Sequence, residues 1–170
     1  MMRIFGHPSD KLSQVVTHIL DHIFTKFHHV LDSFDNECLT PMKLEAFAEA
    51  ILQKGGLLPD TWGFIDGTIR SITRPNHNQR QVYNGHKRIH AIKFQSIMTP
   101  DGMISHLTGP WIGRRHDSRM LRESGLIDEL EQYAKGTNGQ IMHLYGDPAY
   151  PLTQYIVSPF KGEIFNYKLN

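Results

Sequence analysis

The stretch Trp62-Gly63-Phe64-Ile65-Asp66-Gly67-Thr68-Ile69-Arg70 most narrows what this chain can fold into. An aromatic and apolar run delivers one carboxylate onto Gly-Thr, and a second apolar segment resumes just beyond. Short apolar runs bounded by turn residues read as strands, so Trp62–Asp66 and Ile69–Ile72 are expected to be two short strands with Asp66 at the end of the first. An acid at a strand end has its backbone fixed by the sheet. Two more acids lie in loops of unusual composition, Arg114-Arg115-His116-Asp117-Ser118 and Leu144-Tyr145-Gly146-Asp147-Pro148-Ala149-Tyr150.

The segments around these acids set the expected order. Leu12, Val15, Val16, Ile19, Leu20, Ile23, Phe24, Phe27, Val30 and Leu31 recur at steps of three and four, which predicts an amphipathic helix over about 10–32 with its stripe facing the core. Thr40-Pro41 starts a second helix, lined by Leu44, Phe47, Ala48, Ile51 and Leu52 and ended by Gly55-Gly56. Residues 73–88 form a long polar connection in which Asn84 and Gly85 order the loop. Ile89–Met98 reads as a strand, Pro100-Asp101-Gly102 as a turn, and Met103–Thr108 as a hairpin partner closed by Gly109-Pro110. Asp117 or Ser118 caps a helix made irregular by Gly125, and Ile141–Tyr145 is a last strong strand ending against Asp147. The expectation is an α/β domain over 59–170, preceded by a helical accessory region over 1–58.

Composition excludes several classes. A length of 170 residues fits one ordinary domain, and 39% hydrophobic content can bury a genuine core. The lone Cys38 forms neither an internal disulfide nor a Cys-rich zinc site, which reads as an intracellular chain. No apolar run reaches the roughly 20 residues a membrane span requires. There is no HExxH, no Walker loop and no GxSxG elbow. Net charge is only +1, but Arg70 through Arg122 carries ten Lys/Arg against Asp101 and Asp117 alone. A basic central field in a near-neutral chain suits a polyanion.

Taken singly, Asp66 is a turn acid, Asp117 a helix cap and Asp147 a loop acid before Pro. Taken together they constrain more. If the first and last strands are sheet neighbours, Asp66 and Asp147 leave adjacent strand ends and can share a hard divalent cation, with Asp117 at the mouth of the same site. A cation removes the repulsion between the carboxylates, and paired metals about 4 Å apart can activate a water or a 3′-hydroxyl and stabilise the leaving oxygen of a phosphodiester. Arg114, Arg115 and His116 suit phosphate, and Lys87, Arg88 and Lys93 extend that track, giving affinity with little base specificity.

At this point the chain resembles a known family. FIDGT, QRQVYNGHKRIHAIKFQSIMTPDG, GPWIGRRHDSRMLRESGL and YGDPAYP are similar to the DDE superfamily endonuclease domain of Harbinger-type transposases, most clearly over 61–170. The resemblance implies an RNase H-like fold and DNA cleavage with Mg²⁺ or Mn²⁺. It implies Asp66 and Asp147 as catalytic carboxylates and Asp117 as a further metal-associated acid. Its further implications are DNA as partner, nuclear localisation, and either self-association or an accessory DNA-binding protein. The family's closing Glu is expected on a helix beyond Asn170, and Glu163 lies too close behind Asp147 to replace it. Impaired activity is therefore expected. Two rival readings remain: a silent nucleic-acid-binding remnant, and an interaction module using the 12–31 helix.

Overall fold

The structure is a computed structural model and describes residues 6–34 and 37–159. Its elements in chain order are α1 (Ser9–Phe27), α2 (Pro41–Gln53), β1 (Thr61–Ser71), a single turn of helix α3 (Gln79–Val82), β2 (Tyr83–Asn84), β3 (Ile89–Met98), β4 (Ile104–Ile112), α4 (Asp117–Glu123), α5 (Leu126–Tyr133), β5 (His143–Gly146) and β6 (Ile156–Val157). A 3₁₀ turn at His28–Val30 extends α1. The six strands form one mixed sheet in the order β2-β3-β1-β5-β6, and β4 shares the outer edge of β3 with β2. β1 is antiparallel to β3 and parallel to β5. A parallel neighbour requires a crossover, and α4 and α5 supply it between β4 and β5.

The core lies on the helix-covered side of this sheet. Ile65, Ile97 and Leu144 meet Leu121, Leu126 and Leu130 from the crossover helices. Leu44, Phe47 and Ala48 of α2 belong to the same core as Trp62, so it draws on both sides of residue 58. Thr40 caps α2 by accepting from the Lys43 N–H, with Pro41 at its first position. Glu45 of α2 accepts from the Thr137 N–H and hydroxyl and from Gln140 Nε2, which fastens the helix to the turn before β5. Phe34 stacks on Tyr133 and meets the edge of Trp62. The opposite face is open: Phe64, its register partner Met98 on β3 and its partner Tyr145 on β5 are all exposed.

Several expectations are corrected. The two short strands before residue 72 are one strand, because β3 pairs with β1 from Phe64 through Ser71 and supplies the ladder across Gly67. Asp66 therefore sits mid-strand. Gly109-Pro110 does not end the hairpin strand; β4 passes through a bulge and pairs again at Trp111↔Lys93 and Ile112↔Ile92. A proline is tolerated there because this is an edge strand. Asp117 is the first residue of α4, not its cap; His116 holds the cap position without a side-chain hydrogen bond. The polar connection over 73–88 contains α3 and β2. The largest correction is α1, which was expected to face the core. It has no buried residue, and Val15, Val16, Ile19, Leu20, Ile23, Phe24 and Phe27 are each about half exposed or more. Glu163 and the stretch after it lie outside the described residues.

Candidate active site

β1 and β5 bring the first two acids together. Their parallel register ends at Ile65↔Gly146, and Asp66 and Asp147 are the next residues on each chain. Neighbouring strands lie about 4.8 Å apart, so the two acids start from adjacent backbone positions. Both are exposed. β5 stops at Gly146 because the chain turns: Asp147 Oδ1 accepts from the Ala149 N–H at 2.9 Å, and the Tyr150 N–H donates to the Asp147 carbonyl at 3.1 Å. This Asx turn holds the second carboxylate at the sheet margin.

Asp117 arrives from the helix-covered side. A Cβ built on Gly67 would stand 2.8 Å from Asp117 Cγ and 3.4 Å from Met120 Cε, so a side chain at 67 would displace that acid. The Asp117 carboxylate is already engaged. Its Oδ1 accepts from Lys93 Nζ at 2.5 Å, and the same ammonium donates to the Arg115 carbonyl at 3.0 Å.

Tyr150 joins the three acids. Its ring packs 3.1–3.2 Å from the position a Cβ on Gly146 would take, which places it beside the β1–β5 junction. Its hydroxyl is buried with no hydrogen-bond partner. Burial, then the charges of Asp117, Asp66 and Asp147 in that order, push the phenol far above its ordinary range, so it stays protonated. Among the described residues, no three His, Cys, Asp or Glu side chains are grouped closely enough to hold a metal ion.

The six residues expected to meet phosphate separate into two sets. Lys87 and Arg88 are exposed in the β2–β3 turn, Arg114 is exposed, and His116 is exposed at the start of α4. Lys93 is corrected: it is only 6% exposed, on the inward face with Ala91, Gln95 and Ile97, and its charge goes to Asp117. Arg115 pairs with Glu123 and lies over the Trp111 ring at 5.2 Å, so its charge is also largely met within the protein. Asn84 does order its loop, donating to the Gly113 carbonyl at 2.6 Å and accepting from the Lys87 N–H.

Sequence reasoning missed Tyr150, Gly67 and the destination of Lys93. Period-two alternation through Ala91, Lys93, Gln95 and Ile97 carried the signal for Lys93, because it puts a lysine among inward residues. An α/β domain with two exposed aspartates leaving adjacent strands, and a third held beneath by lysine, is the class the geometry defines. The family description "DDE superfamily endonuclease" matches residues 65–168, which is more than half of the sequence, and the chain belongs to that family. No curated protein and no solved structure matches it.

Proposed function

We propose that this chain is a divalent-metal-dependent DNA endonuclease domain of the Harbinger transposase type, with an RNase H-like fold, acting on nuclear DNA. Asp66 and Asp147 are its metal-binding carboxylates. One observation carries the reading: each acid directly follows the last register pair of neighbouring parallel strands. The donor chemistry fits, since two exposed carboxylates offer the hard oxygens that Mg²⁺ or Mn²⁺ prefer. When bound, such a cation supplies Lewis acidity for attack on a phosphodiester and compensates charge on the leaving oxygen. Asp117 fits less well as a direct ligand while Lys93 neutralises it. In this reading it sets the field beneath the two ligands, together with the Tyr150 hydroxyl.

The test is nicking of supercoiled plasmid with Mg²⁺ or Mn²⁺. Asp66→Ala and Asp147→Ala should each lower the rate by ~100-fold or more, at least the loss that follows removal of an outer-sphere partner. Nicking that survives both substitutions would sink the assignment. A second reading is favoured by one specific observation, the engagement of the Asp117 carboxylate by Lys93. It is a domain that binds DNA without cutting it. That reading expects salt-dependent binding and no metal-dependent nicking.

A further inference from the structure

Away from the acids, three arginines from different segments surround one cleft of about 590 Å³. They are Arg74 from the loop after β1, Arg80 from α3, and Arg114 from the loop before α4, with Gln79, Tyr83 and His90 between them. No Asp or Glu lines the cleft. Among the described residues, none of the three guanidinium groups pairs with a carboxylate. Unpaired arginines gathered around a concavity repel one another, and an anion removes that cost.

The cleft is held in shape. Arg74 Nε donates to Gln79 Oε1 at 2.9 Å, which fixes one edge of that guanidinium. Asn84 ties β2 to the Gly113 carbonyl, so Arg114 is anchored beside the hairpin. Gly113 itself lies flat against Val82 and Ala91; a Cβ there would come 2.7 Å from the Val82 carbonyl oxygen. Between the arginines, the Tyr83 ring meets His90 edge-on, with centroids 5.3 Å apart at 62°, and the residue remains 41% exposed. Its ring is held by His90 yet still reachable from solvent.

We propose that this cleft binds single-stranded DNA, with the arginines on successive phosphates and an unpaired base stacked on Tyr83. Cations together with an accessible aromatic ring recognise unpaired nucleotides, because every unstacked base offers a π-face while a duplex keeps its faces inside. The ladder gives the spacing to the acids. His90 lies near the start of β3, whereas Asp66 is paired with Ser96. Six residues of strand span about 20 Å, so a strand end held in the cleft lies several nucleotides from Asp66. Only this last step rests on the nuclease reading; the binding does not.

The experiment is fluorescence anisotropy of the full chain with a labelled short deoxyoligonucleotide, single-stranded or annealed to its complement. It is run without divalent metal over a range of salt concentrations. The single strand should bind more tightly than the duplex. Tyr83→Ala should weaken single-strand binding about tenfold with the salt slope unchanged. Arg80→Ala and Arg114→Ala should each reduce that slope by about 0.7. Tyr83→Phe keeps the ring and should bind like the wild type. Tyr83→Leu keeps the bulk and should behave like the alanine variant, which separates stacking from loss of fold. Equal or tighter binding of the duplex overturns the proposal, and so does full affinity in both Tyr83→Ala and Tyr83→Leu. Because this experiment reads binding alone, it is independent of the plasmid assay: tight single-strand binding here with no nicking there would count against the nuclease reading and leave the cleft standing.

Discussion

Lys93 and Asp117 form the most consequential residue pair outside the two proposed ligands. With side chains only 7% and 17% exposed, neither charge is well solvated, and each depends on the other. Replacing one partner leaves the other stranded at a cost of about 3 kcal/mol, whereas replacing both by apolar groups is often neutral. Lys93→Met is therefore expected to lower stability by about 3 kcal/mol in urea unfolding, and Lys93→Met/Asp117→Leu to recover most of it. Additive losses in the double variant would show that the pair is not coupled. The sequence made Asp66 and Asp147 legible because each is flanked by the apolar run that builds its strand. Lys93 was misread because charge counting assigns lysines to the surface, and only the alternation around it pointed inward. Tyr150 was illegible for another reason: its significance is spatial, arising from a turn that folds its ring back onto Gly146.

β4 and α5 meet at a buried histidine. His106 pairs with Ile97 across the β3–β4 ladder and is 1% exposed, and neither ring nitrogen has a hydrogen-bond partner. Glu129 of α5 is the nearest acid, at 3.8 Å, which is beyond hydrogen-bond reach, and the same Oε2 accepts from the Phe34 N–H at 2.8 Å. Burial lowers the His106 pKa below its usual 6.5, and the charges of Glu129 and Asp32 offset this only in part. Below 6.5 the unfolded chain takes up a proton that the folded chain refuses. Stability from this group is therefore complete above 6.5 and declines as pH falls from 6.5 towards the lower folded value. Urea midpoints measured from pH ~7.5 down to ~5 should fall for the wild type, and fall less for His106→Phe. Identical slopes would show that His106 is not the group responsible. Element boundaries were harder to read than element types. Gly67 and Gly109-Pro110 look like breaks in the sequence, but a long partner strand carries the ladder past the first, and an edge position tolerates the second.

At the scale of the whole molecule, the periodicity of α1 identified a helix with a wide apolar side but contained no information about what covers it. Hydrophobic patterning gives a face, and the partner of a face is a tertiary fact. α2 shows the contrast: its Leu44, Phe47 and Ala48 are buried, while α1 has no buried residue. A helix without a buried residue adds little to the stability of the fold, because most helical stability in proteins comes from tertiary packing of an apolar face. Deleting residues 1–27 is therefore expected to leave the melting temperature within ~4 °C, a change of less than about 1 kcal/mol. Solubility should rise, because the exposed row from Val15 to Phe27 is lost with the segment. Leu31 must be kept, since its carbonyl accepts from the Leu107 N–H of β4 at 2.9 Å. Paired thermal melts and static light scattering of the full and shortened chains decide the matter. A drop of ~10 °C or more would mean that the apolar side of α1 packs against the body in solution and contributes to the fold.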